Sequence, residues 1–150
     1  RWGLLLLATA ALVWGMLRQG GGFDDQPVYG FPPPGTEQLV VAFYHPHKRC
    51  EPCEAIERLS GEVVSEHFDA AVTAGRLAYE VVDIGEEGRR AADVLDLYTS
   101  TIALLAFKGP QRAPDLQVAE WVWEHELLDE PVTWKERLAG DIDQMLRGVP

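Results

Sequence analysis

Two cysteines separated by two residues are the part of this sequence best suited to chemistry. Cys50 and Cys53 are the only cysteines among the 150 residues, and they lie in the run Cys50-Glu51-Pro52-Cys53. At this spacing a disulfide can close and reopen within one helical turn, so the pattern indicates thiol–disulfide chemistry. We therefore predict that Cys50 is the attacking thiolate and that Cys53 resolves a mixed disulfide formed there.

The residues around the pair can tune its reactivity. Cys50 is predicted at the start of a helix, where unpaired backbone N–H groups and partial positive charge stabilise a thiolate. Two glutamates, Glu51 and Glu54, oppose this effect, so the sequence leaves the net direction open. Five residues are predicted to support the pair, through positive charge, a nearby imidazole or a stiffened first turn: His45, His47, Lys48, Arg49 and Pro52.

Apolar patterning places the pair where a strand gives way to a helix. Residues 38–44 form a continuous apolar run, which predicts a strand buried on both faces. The remaining pattern predicts a helix from residue 51 to about 74 and then a strand over 77–83. A shorter helix is predicted to end near residue 97, with Ala91, Val94 and Leu95 facing inward. Strands are predicted over 101–107 and 118–125, followed by a last helix that starts at the capping box Thr133-x-x-Glu136. Two parallel crossovers followed by a hairpin predict an α/β fold, a βαβαββα mixed four-stranded sheet flanked by helices.

This arrangement resembles the thioredoxin-like superfamily in its minimal form. The resemblance is carried by Cys50-x-Pro52-Cys53 after a first core strand, within this element order, and it covers about residues 36–147. More narrowly, residues 43–53, Val82-Asp83 and Leu97-Tyr98-Thr99 before Leu104-Leu105 resemble a group of bacterial thioredoxin-like proteins labelled as an accessory subunit of a nitrophenyl-compound nitroreductase. The resemblance implies a protein thiol or disulfide partner, and it implies that Ser100 and Thr101 form the substrate loop facing the cysteines.

The chain departs from the thioredoxin pattern at two places. Arg49 and Glu51 stand where thioredoxin has Trp and Gly around its first cysteine. The stretch over residues 98–103 also lacks the proline that thioredoxins hold in the cis form before the third core strand. A non-proline cis bond costs about 2.5–4 kcal/mol, so we predict that this loop is trans or differently shaped. The missing proline argues against broad protein-disulfide reductase activity.

The N-terminal part of the chain predicts attachment to a membrane. Trp2 to Leu17 carries no charge and is bounded by Arg1 and Arg18, which is typical of a signal segment or, as we favour, an uncleaved anchor. Glycines, prolines and two aspartates then indicate a flexible linker. We therefore predict an anchor or signal segment at residues 1–18, a linker at 19–35 and an extracytoplasmic (periplasmic) thioredoxin-like domain at 36–150, where a disulfide can persist.

Other functions for the pair stay open. The set His45, His47, Cys50 and Cys53 offers ligands for zinc or copper. The chain can also be a non-catalytic subunit of a membrane redox complex, or the disulfide can be a static staple. The net charge of −11 argues against binding nucleic acid. No phosphate-binding glycine loop or nucleotide fingerprint is present, so no cofactor is predicted.

Overall fold

The computed structural model describes residues 27–85, 88–109 and 112–149 of the chain. The elements in these ranges are β1 (Gln38–His45), α1 (Glu51–His67), α2 (Asp69–Thr73), β2 (Leu77–Asp83), α3 (Arg89–Leu95), β3 (Thr101–Phe107), β4 (Asp115–Ala119), a 3-10 helix (Glu120–Trp123), α4 (His125–Leu128) and α5 (Pro131–Arg147). The predicted membrane anchor at residues 1–18 lies outside these ranges. Within them, no helix combines the length and the apolar character needed to cross a bilayer.

The strands form one mixed sheet in the order β2-β1-β3-β4. β1 pairs in parallel with β2 and antiparallel with β3, and β3 pairs antiparallel with β4. The four-stranded mixed sheet with helices on both faces confirms the predicted α/β architecture. The predicted second parallel crossover is wrong, because β3 runs opposite to β1.

The length of α3 explains the direction of β3. A seven-residue helix rises about 10 Å, whereas a seven-residue strand such as β2 spans about 23 Å. The chain that leaves the end of β2 therefore cannot return along α3 to the start of the sheet. Asp96, in the left-handed conformation (φ 57°), turns the chain after α3, and β3 begins at the edge where β2 ended.

The side of the sheet that carries α1 and α5 is closed, and we call it the sealed face. β1 contributes Leu39, Val41 and Phe43, which are all fully buried against the two helices. The helical residues in this core include Ile56, Leu59 and Val63 of α1 and Trp134, Leu138 and Ile142 of α5, as the apolar stripes predict. Full burial of one such side chain contributes about 1.5–3 kcal/mol, so this face supplies most of the core.

On the other side of the sheet, the open face, the described part of the chain places only the short helix α3 and residues 27–35, which we call the N-terminal strap. The Tyr29 ring meets the Phe107 ring edge-on, with centroids 5.8 Å apart, and Phe31 is buried beside them. The Tyr44 hydroxyl donates to the Tyr29 carbonyl at 2.9 Å. Burial is the main cause that raises the pKa of Tyr44, and the nearby Tyr29 raises it further. The strap therefore packs against the sheet, whereas the sequence predicts a flexible linker over residues 19–35.

The predicted fourth strand over residues 118–125 is wrong at both ends. β4 ends at Ala119, and the next four residues form a turn of 3-10 helix. The indole of Trp121 donates to Asp141, Val122 is fully buried, and the indole of Trp123 donates to the Ser100 carbonyl. The 3-10 turn thus directs three consecutive side chains into contacts within the fold, where the sequence pattern predicts a continuing strand.

Three helix boundaries also differ from prediction. The long helix is interrupted at Phe68, which leaves helical geometry (φ −126°, ψ 15°) before α2. Val94 points outward, at 55% exposure, because α3 ends one residue later and its apolar stripe cannot continue. The last helix begins at Pro131, two residues before the predicted capping box, and the Thr133 hydroxyl donates to the Glu130 carboxylate instead of capping a backbone N–H.

Candidate redox site

Cys50 and Cys53 are joined by a disulfide at the first turn of α1. Cys50 is the N-cap residue of this helix and has extended backbone geometry (φ −116°, ψ 161°). Its carbonyl accepts the N–H of Glu54 at 3.1 Å, and its Sγ accepts the N–H of Cys53 at 3.3 Å. Pro52 occupies the first turn, where a missing N–H costs the helix nothing. The Cys50 sulfur thus already lies at the positive end of the helix.

The two sulfurs differ in their access to solvent. Cys50 is exposed, whereas Cys53 is only 3% exposed and belongs to the buried residues of α1. A partner sulfur approaching along the reaction path can therefore reach Cys50, whereas Cys53 is shielded by the helix and the sheet. The predicted roles of attacking thiolate and resolving thiol require such a difference in access, and they stay predictions.

A fixed chain of side chains precedes the pair. Arg49 forms an ion pair with Glu57 and also donates to Nε2 of His45 at 3.1 Å. His45 is 5% exposed, and its Nδ1 lies 3.0 Å from the Pro46 carbonyl. Both ring nitrogens of His45 are therefore engaged, one by the carbonyl and the other by the guanidinium. Arg49 is thus held by its neighbours, while Lys48 extends into solvent.

His47 turns away from the cysteines toward the end of β2. Its Nδ1 lies 3.1 Å from the Asp83 carboxylate, and the other oxygen of Asp83 accepts the N–H of Gly85 at 2.7 Å. The Gly85 N–H is the main cause that lowers the pKa of Asp83, with His47 and the charge of His45 adding to it against partial desolvation. The cluster fixes the loop after β2 beside the loop that leads to Cys50.

The structure does not bring the predicted metal ligands together. Both ring nitrogens of His45 already have partners, His47 faces Asp83, and the cysteines are bonded to each other. In the part of the chain that the structure describes, no group of three or more His, Cys, Asp or Glu side chains could hold an ion. The zinc or copper alternative therefore has no support from this geometry.

The predicted substrate loop is partly buried. Ser100 is fully buried, and its hydroxyl has no hydrogen-bond partner among the described residues, while its carbonyl accepts from the Trp123 indole. Thr101 is buried at the start of β3. Every described peptide bond is trans, so the loop is trans as predicted. Within this loop, the Ser100 backbone is held by Trp123, whereas the side chain of Tyr98 is 85% exposed.

Strand register places all these parts at one edge of the sheet. His45 at the end of β1 is the partner of Asp83 at the end of β2, and Tyr44 is the partner of Thr101 at the start of β3. The loop to Cys50, the loop after Asp83 and the loop before Thr101 therefore leave the sheet at the same edge. An arrangement of this kind suits an exposed disulfide that a partner must approach.

Three participants were not predicted from sequence. Asp83 ends a strand parallel to β1, and the shared edge of parallel strands was a signal that could have paired it with the histidines. Glu57 lies eight residues after Arg49, and only the bend at the helix start brings the two together. Trp123 was assigned to a strand, so its bond to the Ser100 carbonyl could not be anticipated.

No protein-family model and no curated protein sequence matches the chain. Among solved structures, it is similar to the germline-specific thioredoxin Deadhead of Drosophila melanogaster, with 13% identity, a TM-score of 0.40 and coverage of 64% of this chain and 80% of that one. It is also similar to thioredoxin f2 of Chlamydomonas reinhardtii (12%, TM-score 0.42, coverage 70% and 89%). A chloroplastic thioredoxin z gives 15%, a TM-score of 0.38 and coverage of 64% and 80%.

Proposed function

We propose that this protein is a thiol–disulfide oxidoreductase or electron-transfer protein whose redox pair is Cys50 and Cys53. The observation that carries the proposal is the disulfide between an exposed helix-capping cysteine and a buried cysteine one turn later. A staple between residues three apart closes a very short loop and restricts the unfolded chain little, so structural stabilisation is a weak reason for it. A pair that opens and closes reversibly explains why one sulfur is exposed and the other is buried one turn later.

The reaction is a two-step exchange. In the reduced protein, the Cys50 thiolate attacks a sulfur of the partner disulfide, forming a mixed disulfide and releasing one partner thiolate. The Cys53 thiolate then attacks the Cys50 sulfur, which forms the Cys50–Cys53 bond and releases the second partner thiolate. The partner gains two electrons and two protons, which the protein's two thiols lose. Run in reverse, the same steps oxidise a partner dithiol.

Arg49 is a positioning residue for this step. His45 and Glu57 hold its guanidinium one residue before the attacking sulfur, where positive charge favours the thiolate. We expect Arg49→Gln to slow alkylation of reduced Cys50 at pH 7 by about two- to tenfold, as the thiolate fraction falls. Rates measured by mass spectrometry across pH would show a profile displaced to higher pH. Arg58→Gln, which removes an arginine of α1 that pairs with Glu62, serves as the control and leaves the profile unchanged.

An equilibrium redox titration tests the proposed function. The protein is incubated in glutathione buffers of defined potential, quenched by alkylation, and the oxidised and reduced fractions are measured by mass shift. We expect one two-electron transition, with a slope of about 30 mV per tenfold change. A disulfide that stays oxidised throughout the range of cellular thiol buffers would contradict the proposal and leave the static staple.

We further propose that the domain works outside the cytoplasm, held at the membrane by residues 1–18. Support comes from the uncharged run between Arg1 and Arg18, and from a compartment in which a disulfide can persist. Fractionation of cells that express the protein tests this: it should pellet with membranes after an alkaline wash. Recovery in the soluble cytoplasmic fraction would overturn this part alone.

The narrower sequence resemblance bears on the partner. We propose that the partner is a membrane redox complex, with this chain as its thiol-bearing accessory subunit, in line with the resemblance to nitroreductase accessory subunits. Affinity purification from detergent-solubilised membranes distinguishes two arrangements. A partner retained only by Cys53→Ser, through a mixed disulfide, indicates transient exchange, whereas equal retention by the wild type indicates a stable, non-catalytic subunit.

A further inference from the structure

A cleft on the open face lies beside the redox edge of the sheet. Its volume is about 340 Å³, and it is bounded by the end of α3, the loop to β3, the end of β4 and Trp123. Thr101 lines it and is the register partner of Tyr44, which precedes the loop to Cys50 by one residue. A partner chain whose disulfide engages Cys50 can therefore extend into this cleft.

The walls of the cleft combine carboxylates with aromatic rings. Asp96 and Glu120 line it, and both are exposed. Tyr98 and Trp123 supply the rings, and none of the described residues that line the cleft is basic. The Tyr98 hydroxyl donates to one oxygen of Asp96 at 2.5 Å, which fixes the ring next to the carboxylate. The Trp123 indole N–H is already used by the Ser100 carbonyl, so this ring offers its apolar and π surface.

This combination of groups fits a cationic side chain. A guanidinium or ammonium is attracted to the face of an aromatic ring, most strongly tryptophan, and carboxylates add an ion pair. The molecule already makes such a contact elsewhere, where the Arg137 guanidinium lies 4.5 Å from the centre of the Trp121 ring. An acidic segment would bring like charges together, and a purely apolar segment would form no ion pair with the two carboxylates.

We infer that the cleft is a specificity site for a partner protein segment that carries arginine or lysine a few residues from its reactive cysteine. The inference rests on the proposed function, because it names the partner that the redox pair would meet. The cleft itself performs no chemistry. It holds the basic side chain while the partner sulfur reaches Cys50, and so raises the rate of exchange for basic partners.

Disulfide-bonded peptides test the inference. Matched peptides carry arginine, norleucine or glutamate at successive positions from the cysteine, and their second-order rates with the reduced full chain are compared at low salt. We expect arginine peptides to react about tenfold faster than glutamate peptides at the best position, a preference that weakens with salt. The variant Asp96→Asn/Glu120→Gln should reduce that preference to about twofold. Asparagine tolerates the left-handed backbone at residue 96, so the fold is kept.

The control variant is Glu37→Gln/Glu136→Gln. It changes the net charge by the same amount at two exposed residues outside the cleft, Glu37 just before β1 and Glu136 on α5. We expect it to retain the arginine preference. Equal loss in both double variants, or no preference in the wild type, would overturn the inference and leave the proposed function intact.

A second measurement separates the two proposals. Peptides with serine in place of cysteine cannot exchange, so their binding to the oxidised protein, followed by tryptophan fluorescence, reports on the cleft alone. Tighter binding of the arginine peptide, weakened by Asp96→Asn/Glu120→Gln, supports the cleft even if no peptide is ever reduced. Binding that does not depend on the charge of the peptide overturns the inference.

Discussion

The two faces of the sheet are built for different tasks. The sealed face packs two helices of 17 residues each against the sheet, and Cys53 lies at the start of one of them. The open face has a seven-residue helix and the N-terminal strap, and next to them lies a cleft. Rigid packing on one side fixes the buried sulfur and the exposed sulfur attached to it. Sparse cover on the other side leaves room for a partner. Under the proposals above, one small sheet would support reactivity and recognition on separate faces.

Two neighbouring leucines of β3 measure this difference most strongly. Leu104 faces the sealed core and Leu105 the core of the open face, and both are fully buried. We expect Leu104→Ala to lower the free energy of unfolding by about 4 kcal/mol and Leu105→Ala by about 2–3 kcal/mol. The cavity left by Leu104→Ala lies beside α1 and α5, which cannot move to fill it. The strap and α3 can shift to fill the cavity left by Leu105→Ala. Urea unfolding of the oxidised protein gives both values.

Equal costs for the two leucines would mean that the faces are equally rigid. The contrast between a rigid sealed face and an adaptable open face would then be wrong, and the cleft would have to be explained by its lining alone. A larger cost for Leu105→Ala would mean that the open face is the more rigid of the two.

Two buried serines sharpen the comparison at a single hydroxyl. Ser60, on α1 at the sealed face, donates to the Ile56 carbonyl at 2.8 Å and contacts the Tyr79 hydroxyl at 2.8 Å. Ser100, beside the cleft, has no partner for its hydroxyl among the described residues. We expect Ser60→Ala to cost about 1–3 kcal/mol and Ser100→Ala to be neutral or stabilising by up to about 1 kcal/mol. Thermal and urea unfolding would check both.

A substantial loss of stability in Ser100→Ala would show that its hydroxyl is satisfied in solution. The loop beside the cleft would then be as well fixed as the sealed face, and the contrast at this position would disappear.

The smallest expected effect is on the pH dependence of stability, at the edge of the sheet where Asp83 ends β2. Asp83 has a lowered pKa in the folded protein, chiefly through the Gly85 N–H. A depressed carboxyl pKa stabilises the fold above its unfolded value, near pH 4, and this contribution is lost as pH falls through the folded value. We therefore expect Asp83→Asn to lower stability slightly at pH 7 and to flatten the decline of Tm below about pH 5.

Asp129→Asn, at an exposed position between α4 and α5, is the matched control and should keep the wild-type slope. An unchanged slope in Asp83→Asn would show that the hydrogen bonds to Gly85 and His47 do not hold this edge together.

The sequence was informative where local pattern decides structure. The apolar run of β1, the helix after Cys50 and the stripe of Trp134, Leu138 and Ile142 follow from periodicity and were predicted correctly. The direction of β3 depends on how far α3 reaches, which is a relation between lengths and not a local pattern. The end of β4 at Ala119 depends on contacts of three side chains with distant residues, which no local pattern records.

The site was predictable to the same extent. Spacing identified Cys50 and Cys53, and charge identified Arg49 as a neighbour. The partners that hold Arg49, namely Glu57 and the buried His45, depend on a bend of the chain at the helix start. The cleft also escaped prediction, because its walls come from two separate stretches of sequence, residues 95–101 and 118–123, that only the folded sheet brings together.

The most direct test of the account uses single cysteine variants in a trapping experiment. Reduced Cys53→Ser and Cys50→Ser are each mixed with a peptide disulfide, and the covalent adducts are followed by mass spectrometry. The account predicts a stable adduct on Cys50 in the first variant and formation at least about tenfold slower on the buried Cys53 in the second. Equally fast adduct formation on Cys53, or no adduct on either sulfur, would contradict it.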